Sequence, residues 1–328
     1  MVATPLTDTF GRVHRDLRIS VTDRCNYRCT YCMPAEGMEW LPRSEVLTFE
    51  EIERIARVCV DHFGIDSIRL TGGEPTVRAG LPDLVARLAR LGVDVALTTN
   101  GSRLEALARP LAEAGLRRIN ISCDSLHDGR FAELTRRDDL RSVLAGIDAA
   151  IDAGLAPVKL NVVLRRGVNE DEAVAFAEFG RAKGVVVRFI EFMPLDADGG
   201  WSTGEVVPGR EIVAAIDAVH PLEPVRRDHE PAARWRFVDG QGEIGVIDSV
   251  TEPFCASCDR IRLTADGRLR ACLFATEEVD LRPVLRGGGD DEALAGLVVD
   301  TVAAKGPGHQ IGQVAFVRPR RSMSQIGG

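Results

Sequence analysis

The chain has 328 residues, 45% of them hydrophobic and 5% aromatic, which is long for one ordinary domain but a length an α/β barrel can use. Its 41 basic and 49 acidic residues leave a net charge of −8, which argues against a general nucleic-acid surface while permitting a local basic pocket for an anionic small molecule. No apolar run is long enough to span a membrane and no charged-then-apolar leader opens the chain, so a cytoplasmic setting is expected. In such a setting the eight cysteines read as metal ligands before disulfides.

From Leu17 onward a strand, a polar loop and a helix alternate. LRISVT (Leu17 to Thr22) reads as a strand, followed by the cysteine-rich loop Asp23 to Cys32. A helix is predicted over Thr48 to Phe63, with Thr48 as N-cap and Glu51 completing a capping box. Further strands are predicted at Ser67 to Leu70, Val93 to Leu97, Arg118 to Ile121, Pro157 to Leu164 and Val185 to Ile190. The helices between them are placed at Leu81 to Leu91, up to Ala114, Leu140 to Ala153 and Glu170 to Lys183. Consecutive βα units of this kind imply a parallel sheet with covering helices. Six of them suggest a partial barrel with an open side. The expected organisation is a barrel over 1–195, a bridge over 196–234 with a helix from Gly209 to Val219, and a C-terminal region of short strands over 235–328.

Polar and Gly-rich motifs follow the C-terminal ends of the predicted strands, the face that carries active sites in α/β barrels. That rim is expected to gather Cys25, Cys29 and Cys32, Gly72 to Glu74, Thr98 to Asn100, Ser122, Lys159 and Arg188 to Met193. Cys25, Cys29 and Cys32 stand at C-x3-C-x2-C spacing. Soft thiolates select iron–sulfur clusters, zinc or Cu(I). Three are too few for a closed zinc site but suit a [4Fe–4S] cluster with one open iron. A knuckle-like zinc loop or reduced structural cysteines is the bland alternative. Cys255, Cys258 and Cys272 form a second trio, again without a fourth ligand nearby in sequence; the nearest histidine, His229, precedes Cys255 by 26 residues. A structural zinc is the alternative here too. Cys59 and Cys123 read as buried small hydrophobes.

In TGGEP (Thr71 to Pro75) the glycines would let a ligand lie against the backbone, and Glu74 could accept from an ammonium group. Arg18, Arg69, Lys159 and Arg188 fall on or near the predicted barrel strands, where a charge is costly unless paired. If they converge, a triphosphate fits; pairing with barrel carboxylates is the alternative. Arg260 and Arg262, two apart, would share one face of a strand beside the second trio.

The blocks DLRISVTDRCNYRCTYCMP, TGGEP, RFIEFM, FCASCDRIRLTADG and CLFA, with the final Gly-Gly, resemble the radical S-adenosylmethionine superfamily. Within it they are similar to the GTP 3′,8-cyclase family of molybdenum cofactor biosynthesis, over Asp16 to Gly328. The resemblance implies an incomplete (βα)6 barrel closed by a C-terminal region that bears a second cluster. It implies [4Fe–4S] clusters on Cys25, Cys29 and Cys32 and on Cys255, Cys258 and Cys272. S-adenosylmethionine would contact Tyr31, Gly73, Ser122 and Met193; GTP would contact Arg18, Arg69, Thr98, Lys159 and the segment with Arg260 and Arg262. The implied activity is that of a lyase. A 5′-deoxyadenosyl radical takes hydrogen from ribose C3′, and C3′ then bonds to guanine C8, giving (8S)-3′,8-cyclo-7,8-dihydroguanosine 5′-triphosphate. The implied partners are an external electron donor and a downstream cyclic pyranopterin monophosphate synthase, with no nucleic acid, no membrane, and room for a homodimer. One departure stands out: the family often has a lysine two residues before Arg69, where this chain has Ser67. The competing readings are another radical enzyme with an auxiliary cluster, acting on a peptide, and a non-catalytic metal-binding protein.

Overall fold

A computed structural model of the chain describes residues 3–196, 199–226, 230–314 and 316–327. The repeating pattern becomes six strands: β1 (Asp16–Ser20), β2 (Ser67–Thr71), β3 (Asp94–Thr99), β4 (Arg118–Ser122), β5 (Val158–Leu164) and β6 (Val186–Glu191). Each pairs in parallel with the next. The intervening helices are α1 (Phe49–Phe63), α2 (Leu81–Ala89), α3 (Leu104–Glu113), α4 (Asp128–Thr135), α5 (Leu140–Asp152) and α6 (Ala173–Lys183). Thr48 caps α1 as expected: its hydroxyl accepts from the Glu51 N–H, and the Glu51 carboxylate accepts from the Thr48 N–H at 2.8 Å. Helix α4 carries only a weak apolar stripe and was not expected from the sequence.

The later segment supplies α7 (Gly209–Asp217), then β7 (Leu222–Val225), β8 (Ala233–Phe237), β9 (Glu243–Ile247), β10 (Arg260–Leu263), β11 (Arg268–Arg270) and β12 (Val279–Asp280). These strands do not build a sheet of their own. β9 joins β6 in parallel and β10 joins β1 in parallel. The result is one open sheet in the order β12-β11-β10-β1-β2-β3-β4-β5-β6-β9-β8-β7. The physical reason is the edge: β1 and β6 would otherwise present unpaired N–H and C=O groups. Helices α8 (Arg282–Arg286), α9 (Asp291–Ala303) and α10 (Met323–Ile326) complete the chain. The basic tail is held by ion pairs, Arg318 to Asp196 at 2.9 Å and Arg321 to Asp266 at 2.8 Å.

Strand alternation divides the residues cleanly. Leu17, Ile19, Ile68, Leu70, Val95, Leu97, Ile119, Ile121, Leu160, Phe189 and Ile261 are buried against the helices in one core. Their neighbours face the inside of the barrel and are largely polar. The register sets Arg18 beside Arg69 on one side and Arg262 on the other, Asn120 beside Lys159, and Asn161 beside Arg188. Cys59 and Cys123 are buried, as read from the sequence. Among the described residues no helix is long and apolar enough to cross a membrane.

A chain ended after Leu195 would lose β9 and β10 and bare both edges of the six-stranded sheet. It is expected to melt without a cooperative transition and to be cut rapidly by protease, while the full chain melts cooperatively. Circular dichroism on both checks this; a cooperative melt of the shortened chain would contradict it.

Candidate active site

The first cysteine loop leaves the end of β1 and is clamped by backbone. The Gly73 N–H donates to the Thr22 carbonyl at 2.7 Å, and the Glu74 N–H donates to the Arg24 carbonyl at 2.7 Å. The two glycines of TGGEP are required by this approach. A Cβ on Gly72 would lie 2.5 Å from the Thr22 carbonyl oxygen, and one on Gly73 would lie 2.4 Å from that of Asp23. The cysteine loop itself is therefore a close partner of these glycines, which also line the cavity where the sequence reading placed a ligand.

Glu74 is buried and already engaged. Its Oε1 accepts from the Thr76 N–H and hydroxyl and from the Thr99 hydroxyl, and its Oε2 accepts from the Asn100 N–H at 2.7 Å. It ties the loops after β2 and β3 together and keeps one oxygen with spare capacity toward the cavity. Burial raises its pKa against these bonds. The Tyr31 hydroxyl donates to Asp124 Oδ2 at 2.5 Å, and Asp124 Oδ1 accepts from the Val163 N–H. Burial lifts the Asp124 carboxyl to about 6. The thiols of Cys25 and Cys32 are pushed up to about 11 and about 12 by burial. Ser324 of α10 offers hydrogen bonds to Cys32.

The second trio comes from the loop before β10 and the end of β11. Gly308 packs so tightly on Cys255 that an added Cβ would lie 2.8 Å from the cysteine's own Cβ. The Arg260 guanidinium stacks 4.6 Å from the Phe254 ring centroid. Burial acts to raise the Cys258 thiol, but the charges of Arg260 and Lys305 outweigh it and bring it down to about 7.

Both trios line one cavity, together with Arg18, Tyr31, Gly73, Thr98, Ser122, Met193, Arg260 and Arg262. Arg69 and Lys159 do not line it. Each lies early or midway in its strand, below the rim where Lys159 was expected. They belong to a band of cations inside the barrel: Arg18, Arg69, Arg118, Lys159, Arg188, Arg260 and Arg262 act on one another electrostatically. Burial first, then these like charges, disfavour the Arg18 and Arg188 cations. The Nε atoms of Arg18, Arg69 and Arg118 are buried without a hydrogen-bond partner among the described residues. Arg188 donates to Asn161 Oδ1, Arg118 to Asp94, and Arg262 to the Gly327 carbonyl at 2.9 Å.

Four residues escaped the sequence reading. Arg118 opens β4 and had been given no role beyond starting that strand. His309, far along the chain from Cys255, reaches the cavity beside Phe274. Ser324 and Met323 arrive with α10. Gly327 is wedged with φ 85° where a Cβ would lie 2.2 Å from the Ser20 hydroxyl. Gly328, the other half of the Gly-Gly ending, lies outside the described residues.

The donor sets fit iron–sulfur clusters. Each trio is all thiol, and each has a backbone N–H aimed at a sulfur: Tyr27 to Cys25 and Phe274 to Cys272, both 3.4 Å. Among the described residues no three His, Cys, Asp or Glu side chains converge closely enough to hold a single metal ion. All eight cysteines are free thiols.

The fold and the loop after β1 define the class: residues 19–180 match the Radical SAM superfamily, and residues 185–311 match Molybdenum Cofactor Synthesis C. Streptococcus suis SuiB bound to S-adenosylmethionine aligns with TM-score 0.61 over 88% of this chain and 68% of that one, at 14% identity. The structure anSMEcpe with bound AdoMet aligns with TM-score 0.56 over 89% and 81%, also at 14%. At such identity the likeness shows the fold alone. Relatives named GTP 3′,8-cyclase are far more similar in sequence. That of Corynebacterium glutamicum is 49% identical over 98% of this chain and 89% of its own. That of Mycobacterium sp. (strain KMS) is 49% identical over 99% and 94%. That of Acidothermus cellulolyticus is 52% identical over 88% and 82%. The chain belongs to the GTP 3′,8-cyclase family, and membership of the radical S-adenosylmethionine class implies one [4Fe–4S] cluster and S-adenosylmethionine.

Gly73→Ala is expected to push the first cysteine loop off the TGGEP turn, because the added methyl meets backbone that has nowhere to go. After anaerobic reconstitution the variant should hold less iron than the parent. Undiminished iron would show that the contact is dispensable.

Proposed function

We propose that this chain is a radical S-adenosylmethionine lyase that converts GTP to (8S)-3′,8-cyclo-7,8-dihydroguanosine 5′-triphosphate in molybdenum cofactor biosynthesis. The observation that carries the reading is one cavity bounded by both thiol trios and continued by arginines whose buried Nε atoms have no hydrogen-bond partner among the described residues. A peptide-modifying reading does not explain these cations, and a non-catalytic metal protein does not explain the cavity.

In this reading Cys25, Cys29 and Cys32 hold the first [4Fe–4S] cluster, and Cys255, Cys258 and Cys272 hold a second with an iron free for substrate. Tyr31, Gly73, Ser122 and Met193 form the S-adenosylmethionine side of the cavity, and the spare oxygen of Glu74 accepts from its ammonium. When bound, the reduced first cluster and S-adenosylmethionine would supply a 5′-deoxyadenosyl radical that takes hydrogen from ribose C3′; C3′ would then bond to guanine C8, and the radical left at N7 would take up one electron and one proton to give the dihydro product. Thr98, Arg260 and Arg262 orient the nucleoside. Arg18, Arg69 and Lys159 receive the triphosphate, with Arg118 supplying on that side the charge that Ser67 lacks. Such cations are set before the substrate arrives and cost no reorganisation. Holding C3′ and C8 together is an orientation problem that fixed groups at both ends of one nucleotide solve. The barrel over 1–195 then generates the radical, 235–328 seats the substrate and 196–234 bridges them. An external donor provides two electrons, one for cleavage of S-adenosylmethionine and one for the cyclised radical; a cyclic pyranopterin monophosphate synthase consumes the product, and the reduced thiols suit a cytoplasmic enzyme.

Anaerobic incubation of the reduced, reconstituted protein with S-adenosylmethionine and GTP should yield the cyclised nucleotide with 5′-deoxyadenosine. Cys258→Ser should keep the first cluster and lose the product. 5′-Deoxyadenosine without cyclised nucleotide from the parent would refute the reading.

Burial, then Arg188, hold the Lys159 ammonium down to about 8. A bound triphosphate would raise it, so binding takes up a proton. GTP affinity should be level below about pH 8, fall as the pH rises through and above it, and lose that slope in Lys159→Arg. Calorimetric titration across this range, in buffers of different ionisation enthalpy, measures both the slope and the proton.

A further inference from the structure

We propose that Lys305 is a positioning residue for the second cysteine trio: its ammonium supplies a charged hydrogen bond to the Cys258 sulfur and pins the backbone on both sides of the turn into β10. The inference rests on the reading that Cys255, Cys258 and Cys272 hold a second cluster.

Lys305 follows α9 and is only 5% exposed, a rare state for a lysine unless its charge is answered. Its Nζ donates to the Cys258 carbonyl at 3.0 Å, to the Arg260 carbonyl at 3.0 Å and to His14 Nε2 at 2.8 Å, and stands 3.7 Å from Cys258 Sγ. Burial opposes this charge, and the nearby groups of opposite sign are the sulfurs of Cys258 and Cys272 and the Asp259 carboxylate. Apart from those sulfurs and Asp259, the ammonium has two carbonyls and a neutral ring within hydrogen-bonding reach.

The arrangement is built from the N-terminal strap. Thr7 and Val13 form an antiparallel bridge, and the His14 N–H donates to the Leu6 carbonyl at 2.8 Å. Burial, then Lys305, keep the His14 ring neutral, down to about 4, so that Nε2 can accept. Asp8 binds Arg12 at 2.5 Å, and Arg12 donates onward to the carbonyls of Cys255, Gly306 and Pro307. The strap thus holds the trio's first cysteine through Arg12 and its second through His14 and Lys305. Lys305 also holds the carbonyl of Arg260, the residue whose side chain touches Cys258 and faces the cavity.

Hydrogen bonds and positive charge at cluster sulfurs stabilise the reduced cluster, and outer partners of ligands set affinity. Lys305→Met and Lys305→Gln should therefore shift the midpoint potential of the second cluster to more negative values while leaving that of the first unchanged. Both should weaken GTP about tenfold, and Lys305→Arg should restore most of each property. The experiment compares these variants with the parent after anaerobic reconstitution, by iron and sulfide count, redox titration followed by electron paramagnetic resonance, and calorimetry with GTP. One cluster in the parent defeats the underlying two-cluster reading. With two in the parent, the negative shift of the second cluster supports the role. Its loss from both uncharged variants with recovery in Lys305→Arg supports it equally. Uncharged variants that keep the second cluster at the parent's potential, with the parent's GTP affinity, overturn it even if they melt at a lower temperature.

Discussion

Positive charge enclosed by the barrel without an equal number of carboxylates is the constraint on which the rest of the structure turns. Removing a guanidinium from water costs several kcal/mol unless it is answered. Among the anions acting on this band are Asp16, Asp94, Asp259 and Glu230, and the buried Nε atoms of three arginines stay unmatched among the described residues. The apolar face of the same strands must outweigh that cost. Leu17 and Ile19 flank Arg18, Ile68 and Leu70 flank Arg69, and Ile261 and Leu263 flank Arg262, all of them fully buried. Each strand is therefore an exchange: stability gained against the helices is spent holding a cation in place for an anion.

The two thiol trios are also fixed in place by their surroundings. Each is fastened to backbone that cannot yield: the first to Gly72 and Gly73, the second to Gly308. Each also receives a distant part of the chain, α10 at Cys32 and the N-terminal strap at Cys255 and Cys258. Electron-rich sulfur at the top of the barrel and guanidiniums within it polarise a single cavity. A nucleotide with a reactive sugar between its base and its phosphates matches that polarity end to end.

Much of this was legible before any coordinates. The repeat of strand, polar loop and helix placed β1 to β6, the capping box placed α1, and thiol spacing marked both trios. What stayed hidden depends on sequence-distant pairing. Nothing local in GEIGVI or RIRLT says that β9 and β10 extend the barrel sheet, because an edge strand is chosen by the partner it completes. Lys159 was grouped with the rim motifs although it stands near the start of its strand, and its register sets it beside Asn120, below that rim. His309 and Lys305 carry no local signature at all; only the path of the chain after α9 brings them to the cysteines. The TGGEP glycines were read as room for a ligand; that they also admit the cysteine loop was not, since a sequence cannot show which distant backbone packs there.

The openness of the sheet follows from the same requirement. Eight parallel strands stand side by side, from β10 through β1 to β6 and on to β9, yet they do not close into a ring. A closed eight-stranded barrel of this kind is filled by layers of branched apolar side chains and has no room for a nucleotide. Here the inward positions are Arg18, Arg69, Thr98, Asn120, Asn161, Arg188 and Arg262, which cannot pack one another into a dry core. Leaving the ring unclosed keeps those groups apart and lets the interior serve as a binding chamber. The antiparallel strands β7, β8, β11 and β12 then protect the free edges that an unclosed barrel creates.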